Sequence, residues 1–192
     1  LIHGHRDEVV ITTKAYYPTG NGMDDRGLSR KHLTRELEKS LKRLNTDYID
    51  IYYMHSFDKD TPLEESLSTL NDFVNQGKIR CIGVSNFAAW QIMKAVAITE
   101  RYNYNSITCI QPMYNLLKRQ CESEILPMAK AVSEVGALSI AHTIVRLNGA
   151  IGELFTYKQK PTIARDYIEE YTTVSFHLTE ENNIEKKCTF TT

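Results

Sequence analysis

The chain holds 192 residues, 42% hydrophobic and 24% charged, and its 23 basic and 24 acidic side chains leave a net charge of −1. That usage excludes collagen-like, low-complexity and wholly disordered chains, and the charge balance offers no footprint for nucleic acid. The length suits one domain, large enough to bury a core without disulfides or metal.

No apolar run reaches the ~18 residues that a membrane span needs. The opening, L-I-H-G-H-R-D-E, lacks the apolar stretch of a signal peptide. The four cysteines, Cys81, Cys109, Cys121 and Cys188, form no C-x-x-C pair. Cys81 and Cys109 sit inside apolar strand-like runs. The set reads as inert thiols in a reducing, cytoplasmic setting. His3 and His5 have no companion ligands nearby in sequence, so no metal site is expected.

In chain order, residues 8–14 (E-V-V-I-T-T-K) read as a buried strand. A polar, Gly-rich loop from Pro18 to Gly27 follows. Ser29 is the expected N-cap of an amphipathic helix with Leu33, Leu37, Leu41 and Leu44 on its apolar face. Residues 47–55 (D-Y-I-D-I-Y-Y-M-H) are a second strand. Thr61-Pro62-Leu63-Glu64 reads as a helix start with Thr61 capping, Pro62 at the first helical position and Glu64 completing a capping box. Leu63, Leu67, Leu70 and Val74 give that helix its buried face, and Gly77 ends it.

A third strand is expected over 78–86 (K-I-R-C-I-G-V-S-N). The next helix runs over about 88–101, with Ile92, Ala95, Val96 and Thr99 inward. A fourth strand follows at 107–111, a helix over about 119–134, and a fifth strand at 137–142. After residue 143 the periodicity fades. Helices are expected at 160–171 and 177–187, the latter capped by Thr179.

Strands alternating with amphipathic helices, without hairpin signals, mean parallel βα units. Right-handed crossovers then allow a doubly wound sheet or a (β/α)₈ barrel. Lys14, His55, Ser85, Asn86, Gln111 and His142 fall at strand C-termini, where both architectures bind ligands. No G-x-G-x-x-G follows a strand and no G-x-x-x-x-G-K-[ST] occurs, which disfavours a Rossmann or P-loop site and favours the barrel.

Four segments carry a family resemblance: V-V-I-T-T-K (9–14), L-K-R-L-N-T-D-Y-I-D-I-Y-Y-M-H (41–55), G-K-I-R-C-I-G-V-S-N-F (77–87) and I-Q-P-M-Y-N-L-L (110–117). Together they resemble the aldo-keto reductases. The match covers about residues 6–142 and resumes at K-P-T-I-A-R (160–165) and F-H-L-T-E-E-N-N-I-E-K (176–186), with 143–192 divergent. The resemblance implies a single domain over 1–192, built as a partial TIM barrel. It also implies NADPH-dependent reduction of small aldehydes or ketones.

In that family, Tyr protonates the carbonyl oxygen, a neighbouring Lys lowers the Tyr pKa, and His orients the carbonyl and steadies the forming alkoxide. By the resemblance, Lys14 matches the catalytic Lys and His55 the catalytic His. Ser85, Asn86 and Gln111 match the groups that hydrogen-bond the nicotinamide carboxamide. His142 falls where an aromatic stacks on nicotinamide. Lys160 and Arg165 fall in the segment that grips the 2′-phosphate, and Tyr16 is where a substrate-facing aromatic lies.

Ser85 and Asn86 also suit a cap for the following helix. The family's catalytic Asp and Tyr have no match in this chain, and no Tyr precedes Lys14. The expectation is therefore a fragment with impaired catalysis. The alternatives are a non-catalytic interaction module or a non-functional truncated product.

Overall fold

The computed structural model describes residues 4–114, 118–134 and 142–143. Strands β1 (Thr12–Ala15), β2 (Ile49–Met54), β3 (Ile79–Ser85), β4 (Ile107–Gln111) and β5 (His142–Thr143) form one sheet in that order, and every neighbouring pair is parallel. Helices α1 (Arg30–Leu44), α2 (Leu63–Asn75), α3 (Ala89–Tyr102) and α4 (Ile125–Glu134) supply the crossovers. A doubly wound sheet reverses its strand order at a switch point. Here the order runs one way throughout, as in a barrel wall, and the sheet is part of a (β/α)₈ barrel.

Strand alternation gives the sheet two faces. Tyr52, Met54, Ile82, Val84 and Ile110 share the main core with Leu33 and Leu37 of α1, Leu67 and Leu70 of α2, and Ile92 and Val96 of α3. Ile51, Tyr53, Cys81 and Cys109 form a second buried cluster on the opposite face. Tyr53 lies across Gly83 of the next strand, where an added Cβ would come within 2.4 Å of its ring carbons. Glycine at 83 is thus a packing requirement, not a conformational one.

The helix faces follow the leucine spacing, but several boundaries differ from expectation. Ser29 does cap α1, its hydroxyl accepting from the His32 N–H, and Asn45 ends the helix in the left-handed region. Gly77 closes α2 at φ 72°. At the start of α2, however, Pro62 rather than Thr61 holds the N-cap position, and no side chain caps the helix. Thr61 hydrogen-bonds Asp58 instead. Nor does Ser85 or Asn86 cap α3. The cap position is Ala88, whose N–H donates to the Gln91 side chain.

The expected helix over 119–134 is broken. A 3₁₀ turn at Gln120–Glu122 precedes α4, which begins at Ile125. Pro127 explains this: its ring tolerates the first turn of a helix but would clash with the carbonyl four residues back in a longer one.

Strand β1 begins at Thr12 rather than residue 8, after a 3₁₀ turn at Arg6–Glu8. Side chains take over the backbone groups ahead of it. The Arg6 guanidinium donates to the Val9 carbonyl at 3.0 Å, and the Ile11 N–H donates to Asp50 at 2.8 Å. The expected fifth strand is described at His142–Thr143; residues 137–141 and the helices expected at 160–171 and 177–187 lie outside the described residues.

Candidate active site

The carboxyl edge of the sheet collects most of the residues singled out by sequence. In the register, Lys14, Tyr53, Gly83, Cys109 and His142 form one row across all five strands. Ser85 and Gln111 pair with each other at the ends of β3 and β4, and His55 follows the last residue of β2. Four parallel strands thus deliver Lys14, His55, Ser85 and Gln111 to one edge, and β5 brings the backbone of His142 beside Cys109. Lys160 and Arg165 lie outside the described residues.

Lys14 reaches over the Tyr53 ring, with Nζ 5.5 Å from the ring centroid. The Tyr53 phenol is sealed from solvent, and burial together with the Cys109 thiol pushes its pKa well up. It cannot serve as an accessible acid. Cys109 is itself pushed up to about 12, first by burial and then by Cys81. These thiols therefore stay protonated at neutral pH and act as small apolar side chains.

The His55 backbone is fixed from both sides. Its N–H donates to the Ala15 carbonyl at 3.0 Å, and its carbonyl accepts from the Asn86 side-chain amide at 2.9 Å. Asn86 reaches it from a left-handed backbone, φ 54°, a conformation that Asn tolerates better than most residues. The same amide donates to the Ser85 hydroxyl at 3.2 Å, and that hydroxyl donates to the Gln111 carbonyl at 3.0 Å.

The Gln111 side chain is different. Its Oε1 is buried and finds no hydrogen-bond partner among the described residues. A buried acceptor left unsatisfied is costly. It fits a ligand that brings an N–H to this place, and a primary carboxamide is such a group. A cavity of about 510 Å³, which Gln111 itself does not line, opens between Asn86 and Phe87 on one side and Pro112, Lys118 and Glu124 on the other.

Tyr16 is half-buried at the start of the loop after β1, and its carbonyl accepts from the Gly27 N–H at 2.8 Å. The loop is latched to the one after β2 by Asp58, which the sequence reading passed over. Its carboxylate accepts from the N–H of Leu28 at 2.7 Å and of Asp60 at 3.0 Å. Gly27, at φ 84°, is required beside it, since an added Cβ would sit 2.6 Å from that carboxylate. The local sign was an aspartate two residues before an N–H that it can accept, the pattern of an Asx turn.

Burial alone would raise the Asp58 carboxyl, but hydrogen bonds from Asp60, Thr61 and Leu28 outweigh it and hold the pKa below its ordinary 3.8. A depressed carboxylate pKa stabilises the fold above the unfolded value, and that contribution disappears as pH falls through the folded value. Urea midpoints should therefore drop below about pH 4, and Asp58→Asn should flatten that part of the profile. An unchanged slope between pH 3 and 5 in the variant would contradict the latch.

Among the described residues no group of three His, Cys, Asp or Glu is placed to hold a metal ion, and no helix is long and apolar enough to cross a membrane.

The profile described as "Aldo/keto reductase family" matches residues 2–161. The uncharacterized oxidoreductase YrpG of Bacillus subtilis is 42% identical over 129 residues, covering 65% of this chain and 40% of the relative. The aldo-keto reductase YhdN of the same organism is 40% identical over 128 residues, covering 67% and 37%. The L-glyceraldehyde 3-phosphate reductase of Escherichia coli K12 is 39% identical over 115 residues, covering 60% and 33%. The matched part thus spans 40% or less of the length of these relatives.

Proposed function

The chain belongs to the aldo/keto reductase family, and from that premise we propose that its sheet edge is the nicotinamide side of an NADPH-dependent carbonyl reductase site. Family members generally use NAD(P)H. The observation that carries the proposal is the buried Gln111 Oε1, without a hydrogen-bond partner among the described residues, at the same sheet edge as Lys14, His55 and Ser85. The substrate class is small aldehydes and ketones, and the setting is the reducing cytoplasm. The whole chain is read as one domain.

The bound cofactor supplies hydride, and the protein's residues set the stage for it. Gln111 would hold the carboxamide through Oε1, with Ser85 and Asn86 beside it. His55 would orient the carbonyl oxygen and stabilise negative charge as it develops there. Lys14 would favour the ionised form of a phenol beside it and so tune a proton donor. His142 would lie against the nicotinamide ring. Lys160 and Arg165 would take the 2′-phosphate and favour NADPH over NADH.

No tyrosine precedes Lys14 in these residues, and Tyr53 is sealed. We therefore expect a polypeptide of these 192 residues alone to reduce carbonyls only at a trace rate.

NADPH fluorescence titration tests the cofactor claim. Gln111→Leu removes an unsatisfied acceptor, so its unfolding midpoint should hold or rise while NADPH affinity falls about tenfold. Equal NADPH binding by Gln111→Leu and the parent would remove Gln111 from the site.

A further inference from the structure

The sequence holds two Asn–Gly pairs, Asn21–Gly22 and Asn148–Gly149. The first lies among the described residues and stands exposed in the loop after β1. In such a pair the glycine has no side chain to hinder its own amide nitrogen, which can reach the side-chain carbon of the asparagine before it. A larger residue at position 22 would remove that opening. The backbone there, φ −77° and ψ 156°, is extended and suits any residue. An added Cβ, however, would sit 3.0 Å from an oxygen of Asp25. Asp25 therefore keeps position 22 a glycine.

The same carboxylate holds the nitrogen that would react. The Gly22 N–H donates to Asp25 Oδ2 at 2.8 Å, and the Asp25 N–H donates back to the Gly22 carbonyl at 3.0 Å. Arg35 of α1 pairs with the other carboxylate oxygen at 2.8 Å, so Asp25 is not free to swing away. The bond from Gly22, and after it the Arg35 charge, hold the Asp25 carboxyl below its ordinary 3.8. The acceptor is thus ionised at neutral pH.

From this arrangement we infer that Asn21 is a deamidation site and that Asp25 restrains it by holding the Gly22 amide. In the reaction the Gly22 nitrogen gives its proton to hydroxide and bonds to Cγ of Asn21. The Cγ–Nδ2 bond breaks, and ammonia leaves with a proton from water, closing a succinimide ring. Water then opens the ring at one carbonyl or the other and yields aspartate or isoaspartate. The N–H must leave Asp25 before its nitrogen can attack, and a negative acceptor beside it opposes the charge that builds there. Losing a hydrogen bond of this charged kind should speed the step about tenfold.

The site lies inside a closed turn. The Thr19 N–H donates to the Asp25 carbonyl at 2.9 Å, and the Thr19 hydroxyl donates to Glu36 of α1 at the same distance. Arg35 donates to the Asp24 carbonyl at 3.0 Å. Isoaspartate routes the main chain through the former side chain and lengthens it between these anchors. Conversion therefore loosens a turn that the fold otherwise ties down.

The test incubates the full chain at mildly alkaline pH and follows the peptide that spans Asn21, where each conversion adds about 1 Da. Reading by peptide keeps Asn148 apart. Asp25→Ala should convert Asn21 about tenfold faster than the parent chain. Asp25→Asn keeps an acceptor oxygen in place and should stay within about threefold of the parent. Hydrogen exchange at Gly27, whose N–H donates to the Tyr16 carbonyl at 2.8 Å, should be unchanged in both variants and shows that the loop is still folded. Equal conversion of Asn21 in the parent and in Asp25→Ala would overturn the inference. So would an Asp25→Asn chain as fast as Asp25→Ala, or an acceleration that comes with lost protection at Gly27.

Discussion

Joined to an N-terminal segment that carries the family's Asp and Tyr, the chain should reduce 4-nitrobenzaldehyde with NADPH about 10²–10⁴-fold faster than the 192 residues alone. Hydride transfer to a carbonyl leaves an alkoxide that must take a proton. Lys14 and His55 stand at the sheet edge, but neither is the accessible phenol that the family uses. The phenol that Lys14 overlies, Tyr53, is buried and has its pKa driven upward. Water can replace a positioned acid only in part. The restored activity should then collapse in Lys14→Met and His55→Gln, measured as NADPH oxidation. Robust turnover by the unextended chain, indifferent to Lys14→Met, would refute the inherited site.

The largest effect on folding is expected at the opposite end of the sheet, where Arg6 fastens the segment ahead of β1. Its guanidinium pairs with Asp50 at 2.7 Å, donates to the Tyr48 carbonyl at 3.0 Å and to Thr46 at 2.9 Å, and lies 3.7 Å from the Tyr48 ring centroid. The Asp50 side chain is 4% exposed. Removing Asp50 strips the largely buried Arg6 guanidinium of its counter-ion and leaves it only neutral acceptors. Asp50→Ala should cost about 3–5 kcal/mol in urea unfolding. It also orphans the Ile11 N–H just before β1. A loss below about 1 kcal/mol would place the pair with ordinary surface ion pairs.

Arg6 and Asp50 also show where sequence reading stops. Neither residue type carries a sign of the other, and the β-branched run at 8–14 suggested a strand seven residues long. The ladder begins only at Thr12 because side chains satisfy the backbone before it. That choice is made by residues some forty positions apart, beyond any local pattern. The leucine faces of α1 and α2 behave oppositely. Leu33, Leu37, Leu67 and Leu70 are fully buried, as their spacing alone requires.

Pro127 could have been read more closely, since a proline eight residues into a proposed helix argues against that start. At the site, the strand ends at Lys14, His55, Ser85 and Gln111 followed from βα alternation, and their roles came from the family resemblance. Asp58 was harder to see. It matters through a contact across two loops, and neither loop has a periodicity to read.

We propose that the carboxyl edge of this sheet holds a nicotinamide carboxamide at Gln111. The most direct measurement follows the side-chain amide signals of Gln111 and Asn86 by NMR as NADPH is added. Saturable shifts of both are expected, greatest at Gln111, with the signals of Asn71 and Asn105, which bond each other away from the sheet edge, left in place. Absence of any shift at Gln111 and Asn86 up to millimolar NADPH would contradict it.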